Sequence, residues 1–150
     1  MSPLDDAAAR RLAVELFNAV WALLDEPART RADDDRMLHM AHASRFAWGE
    51  APECGSENIA RGEWLCSRVY AVLGRAEPAL WHARRCLDVC EAAGIGDWDL
   101  AYAYEALARA ASVAGDDARA AEWKAKARAA GHMIAEADER EQFERDFATL

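Results

Sequence analysis

The stretch Tyr70-Ala-Val-Leu-Gly74-Arg-Ala-Glu-Pro-Ala79 returns as Ala111-Ser-Val-Ala-Gly115-Asp-Asp-Ala-Arg-Ala120, with the glycines 41 residues apart (115 − 74). Each copy reads as a helix end, a glycine-punctuated turn and the start of a second helix. A period of that size marks stacked helical hairpins rather than one closed core.

Outward from this echo the chain reads as helix throughout. Strand signals are nearly absent: there is no Asn-Gly hairpin turn and little alternation of β-branched residues. A first helix is expected from about Pro3, with Asp5 and Asp6 at its positive dipole end and Leu12, Leu16, Val20 and Leu24 on one face. Thr30 caps a second, with Asp33, Asp34 and Asp35 in its first turn and Met37, Leu38, Ala41 and Phe46 beyond. The Gly49–Gly55 segment, which contains Pro52, is the clearest loop. Further helices are expected from Ser56 to Leu73, from Glu77-Pro78 to Gly94, from Asp97 to Ala114 and from Asp116 to Ala130, with Gly131 as a stop. A last one, His132 to Ala148, carries Phe143, Phe147 and Leu150 on one stripe. The pattern predicts a single domain over 1–150. Antiparallel hairpins fall at about 3–49, 56–94 and 97–131, with a cap helix at about 132–148. The six tryptophans fall one to each of the first six helices and read mostly as core or interhelix filler.

The bulk properties narrow the class. A chain of 150 residues can bury a real core, and 53% apolar residues is far from the composition of disorder. The formal charge of −9 excludes a general nucleic-acid binder, which needs a basic surface. No apolar run approaches bilayer length, and Met1-Ser-Pro-Leu-Asp-Asp6 lacks the basic start and apolar stretch of a secretion signal, so no membrane association and a cytoplasmic location are expected. Cys54, Cys66, Cys86 and Cys90 are then expected as free thiols.

The middle of the chain resembles a tetratricopeptide repeat (TPR) protein. The positions of the family pattern Trp-x2-Leu-Gly-x2-Tyr, with Ala-x3-Phe in the second helix, are taken by Glu63, Cys66, Ser67, Tyr70, then Ala79 and Ala83. They are taken again by Tyr104, Leu107, Ala108, Ala111, then Ala120 and Lys124. Tyr70, Leu107 and the alanines 79 and 120 match outright; Trp64 is one place off the family tryptophan, and both second helices lack the large aromatic. The period exceeds the usual 34 residues, as in variants with longer helices. The resemblance implies an all-α, right-handed solenoid of three antiparallel helix pairs plus a C-terminal cap. It also implies a ligand-contacting groove lined by the first helix of each hairpin, which maps onto Arg61, Trp64, Arg68, Tyr102, Glu105 and Arg109. Helical spacing groups the first three, and Glu105 with Arg109, on single faces. A basic, aromatic groove selects a partner peptide, or an acidic ligand, through charge-assisted hydrogen bonds. The alternative reading has these arginines in ion pairs with Glu57, Glu63 and Glu105, and Trp64 in the core.

Two other constellations carry chemistry-bearing side chains. His39 and His42, followed by Arg45 and Trp48 and close to Glu57, could form a second pocket, or a metal site completed by Glu50, Glu53 or Cys54; hydrogen-bonded core histidines are the competing reading. Cys86 and Cys90, one turn apart and opposite Cys66, could bind zinc but read better as small buried hydrophobes; Cys54 alone is expected to be exposed enough to react. No phosphate loop, nucleophile elbow or kinase signature is present, and nothing calls for a cofactor. The leading expectation is therefore a protein-interaction scaffold. A small His-based or metal-dependent enzyme or ligand-binding protein, and a homodimer subunit with Trp-rich faces, are the alternatives.

Overall fold

The computed structural model describes all 150 residues and is all-helical. Its elements are α1 (Asp6–Leu24), α2 (Arg31–Glu50), α3 (Ser56–Val72), α4 (Ala76–Ala93), α5 (Asp97–Val113), α6 (Asp117–His132) and α7 (Ala137–Phe147). Successive helices pair most extensively as α1 with α2, α3 with α4, and α5 with α6. Contacts of α2 with α3 and of α4 with α5 join these pairs, and α3 also packs on α5 and α1. No helix is long and apolar enough to cross a membrane.

The repeated sequence produces a repeated turn. In the first copy the Arg75 N–H donates to Tyr70 O (2.8 Å) and the Gly74 N–H to Ala71 O (3.0 Å). In the second, Asp116 donates to Ala111 O (3.0 Å) and Gly115 to Ser112 O (3.0 Å). This is a Schellman closure, and it needs a left-handed residue at the glycine; φ is +73° at Gly74 and +74° at Gly115. Small residues behind the turn let the helices close up. Ala79, Ala108 and Ala111 are buried, and the Ser67 hydroxyl donates to Ala79 O at 2.8 Å.

Helix starts follow local capping chemistry. Asp5, rather than Pro3, begins α1, because its carboxylate accepts the Ala8 N–H at 2.8 Å. Thr30 and Asp33 form a reciprocal capping box at α2. The break expected at Gly131 falls just after it: α6 ends at His132, and α7 begins at Ala137 rather than His132. The Phe143 ring lies where a Cβ on residue 131 would stand, so this glycine serves helix–helix approach rather than a turn. Asp97 opens α5 with a left-handed φ of 53°, and its carboxylate accepts the Ala135 N–H (2.9 Å), tying down the α6–α7 connection.

One main core runs through all the helix pairs, with Leu65, Val69, Leu107 and Ile134 fully enclosed. A satellite cluster of Ala9, Ala13, Ala47, Trp48 and Ala51 holds α1 to α2, where the Ser44 hydroxyl donates to Ala13 O at 2.7 Å. Two large apolar side chains stay outside the core. Phe46 is 51% exposed and Trp81 is 59% exposed, so neither serves as core filler.

Candidate functional site

The inner side chains of α1, α3 and α5 meet along one aromatic seam. Trp21 stacks on Trp64 (centroids 5.4 Å apart), Trp64 meets Tyr102 edge-on (5.6 Å), and Trp98 meets Tyr102 edge-on (5.6 Å). Around this seam lies a cavity of about 280 Å³. Its apolar wall is Phe17 and Trp21 from α1, Ala60 and Trp64 from α3, Cys86 from α4, and Trp98 and Tyr102 from α5. Arg61, Asp99 and Gln142 are its polar residues. The first two form a fork: Arg61 Nε and Nη2 donate to the two Asp99 oxygens at 2.9 and 3.0 Å. The same guanidinium rides over the Trp98 ring, 5.1 Å from its centroid. Hydrogen bonding to Asp99 raises the Arg61 pKa against the effect of burial, and Glu57 and Glu139 add to the rise.

The remaining expected groove residues assemble immediately beside this cavity but are consumed by pairing. Glu105 is fully buried. Its carboxylate accepts from Trp64 Nε1 (3.2 Å), Arg68 Nη1 (3.3 Å) and Arg109 Nε (2.6 Å). Helix α7 then closes over them. Phe143 packs edge-on against Tyr102 (5.1 Å), the Tyr102 hydroxyl donates to Asp146 (2.5 Å), and Arg109 donates to Asp146 O and to the Thr149 hydroxyl. Burial and the Asp146 carboxylate push the Tyr102 phenol well above its ordinary value; burial and the neighbouring Arg109 lower that of Arg68. Thus Arg61, Trp64, Arg68, Tyr102, Glu105 and Arg109 do converge, but Arg68 and Arg109 face a buried glutamate rather than solvent. Among the acidic residues of α7, Asp146 is turned inward to the Tyr102 hydroxyl.

The His39, His42, Arg45, Trp48 and Glu57 set does not assemble. His39 is exposed near Asp35 (3.7 Å), Trp48 belongs to the α1–α2 cluster, and Glu57 is exposed on α3. His42 Nε2 pairs with the Tyr70 hydroxyl (2.9 Å). Burial and the nearby His82 hold its pKa below the ordinary imidazole value. No three His, Cys, Asp or Glu side chains converge as a metal site. Arg45 instead reaches Glu63, the centre of a network that the sequence did not announce. Glu63 accepts from Arg45 Nε (2.9 Å), His82 Nδ1 (2.7 Å) and Arg85 Nε (3.2 Å). Burial alone would raise its pKa; these hydrogen bonds outweigh it and bring the value to about 2. The four cysteines are free. Burial pushes the Cys66 thiol to about 12 and also raises that of Cys54, the one cysteine of the four that is not fully buried.

Phe17, Trp21, Trp98, Asp99 and Gln142 are pocket residues that sequence reading missed. The signal was present: Phe17 with Trp21, and Trp98 with Tyr102, are aromatic pairs at i,i+4 spacing on one helix face. Comparison of the chain with protein-family models, with curated proteins and with solved structures finds no match.

Proposed function

We propose that the chain is a binding module, built as a right-handed TPR-like stack of hairpins, and that it engages a protein or peptide partner through the pocket between α1, α3 and α5. The observation that carries this reading is the cavity of about 280 Å³, walled by aromatic rings and edged by Gln142 of α7, that stays open beside the stretch α7 covers. A concave site with mostly apolar walls and a few convergent polar groups is the usual form of a recognition pocket. Its size suits one compact group rather than a long segment, and α7 already fills the adjoining stretch. The repeated Schellman turn and the packing of α3 on α5 support the repeat reading.

An enzyme reading has less behind it. His42 and Tyr70 lie outside the cavity, and Glu63 is saturated by three donors. The homodimer reading rests on a separate observation, the exposed Phe46 and Trp81 rings. It predicts a concentration-dependent mass in sedimentation that Trp81→Glu abolishes; a monomer at all concentrations would end it.

A screen of ring-sized fragments by ligand-observed NMR tests the pocket. Hits should be lost in Trp21→Ala, whose fold is checked by circular dichroism. Absence of hits, or hits indifferent to that substitution, would refute the placement.

A further inference from the structure

The charge at the mouth of the pocket is opposite to the sequence expectation of an acidic ligand. Arg61 is the one cation that lines it, and its Nε–Nη2 edge is taken by Asp99. Glu57 and Glu139 lie close enough to act on the same guanidinium. One positive charge therefore faces three negative ones, within a chain whose formal net charge is −9. An approaching anion meets a local excess of negative charge and an arginine whose Nε–Nη2 edge Asp99 already holds, whereas a cation is drawn in.

The walls favour the same sign. Indole, phenol and phenyl faces carry negative electrostatic potential and attract cations, most strongly where water is excluded. The structure also shows how a planar cation sits here, because Arg61 supplies an internal example. Its guanidinium lies over the Trp98 ring at 5.1 Å while both Asp99 oxygens accept from it. Its side chain is 41% exposed, so the example occupies the mouth and leaves the interior between Phe17, Trp21 and Trp64 open.

From this geometry we infer that the pocket takes a planar organic cation, of amidinium or guanidinium type, with its charged edge on Asp99 and its body against the Trp21–Trp64–Trp98 wall. The inference rests on the pocket being a binding site. Arg61 then acts as a resident competitor that an incoming cation displaces from Asp99.

The test uses three compounds of nearly one shape and different charge, benzamidinium, benzamide and benzoate, titrated calorimetrically into the full chain at neutral pH. Benzamidinium should bind at least ten-fold more tightly than the other two, and Asp99→Asn should remove most of that preference. Arg61→Gln, which frees Asp99, should tighten benzamidinium severalfold; weakened binding in that variant would overturn the competitor role. Equal binding of all three, or a preference for benzoate, would overturn the cation assignment while leaving the pocket in place. Binding of none would remove the pocket reading and the inference together. N-acetyl-arginine amide separates the sources of the cation. Affinity at or above that of benzamidinium assigns an arginine side chain of a partner; affinity ten-fold lower assigns a free ring compound.

Discussion

The two halves of the aromatic seam share α3 and α5 and end in opposite states. At the Glu105 half, α7 has docked and every charge has a partner; no buried side-chain nitrogen or oxygen lacks a hydrogen bond. At the Trp98 half, aromatic rings line a cavity that nothing in the chain fills. The difference shows what closes a groove. Burying arginines requires a carboxylate among them and a carbonyl and hydroxyl above them, and α7 with Thr149 supplies the upper set. The two halves meet in Trp64, which forms the pocket wall with its ring and donates its N–H to Glu105.

Breaking the sealed half has the largest expected effect. Glu105→Ala leaves Arg68 and Arg109 buried without a counter-charge, at a cost of about 3–5 kcal/mol and a fall in Tm on the order of 10 °C. The milder Glu105→Gln, which keeps the shape, should also loosen Trp64 and weaken pocket binding. Retained stability in both variants would mean that the network is ornamental.

Phe143→Ala removes the ring seated against Gly131 and Tyr102, and should cost about 3 kcal/mol. Amide exchange in α7 should rise more than in α3. Uniform exchange across both helices would contradict a separately docked cap.

The Glu63 network offers a comparison by pH. The Glu63 carboxyl is held near 2 in the folded chain against an ordinary 4.5, so the unfolded chain takes up its proton first as pH falls. Its contribution, about 3 kcal/mol, is present above about pH 5 and is lost as pH falls toward 2. His42 adds a dependence of the same sign that begins below its ordinary 6.5, since burial disfavours its charged form in the fold. Urea midpoints measured against pH should fall less steeply between pH 5 and 2 in Glu63→Gln than in the native chain. Parallel curves would contradict the assignment.

The smallest effect belongs to the open half. Arg61→Gln breaks a half-exposed pair and should change stability by less than about 1 kcal/mol, although it changes what the pocket binds. A large loss of stability would mean that Arg61 supports the fold rather than guards the mouth.

What the sequence revealed depended on the range of the interaction. The all-α class, the helix pairing and the shared faces of Arg61, Trp64 and Arg68 on α3 and of Tyr102, Glu105 and Arg109 on α5 rest on i,i+3 and i,i+4 spacing and on Gly74 and Gly115, all local. The state of the arginines was not readable, because it depends on partners far along the chain: Arg61 with Asp99 at a separation of 38 residues, Arg109 with Asp146 at 37, Tyr102 with Asp146 at 44. Gly131 was misread for the same reason, since its role is set by Phe143 rather than by its neighbours. The Glu63 network joins three helices through contacts that no periodicity encodes.

The measurement that bears most directly on a pocket open beside a sealed groove is a titration with benzamidinium followed through the six indole N–H resonances. The Trp21, Trp64 and Trp98 signals should move in a saturable way while those of Trp48, Trp81 and Trp123 stay fixed. Movement confined to Trp81 or Trp48, or no movement at all, would contradict it.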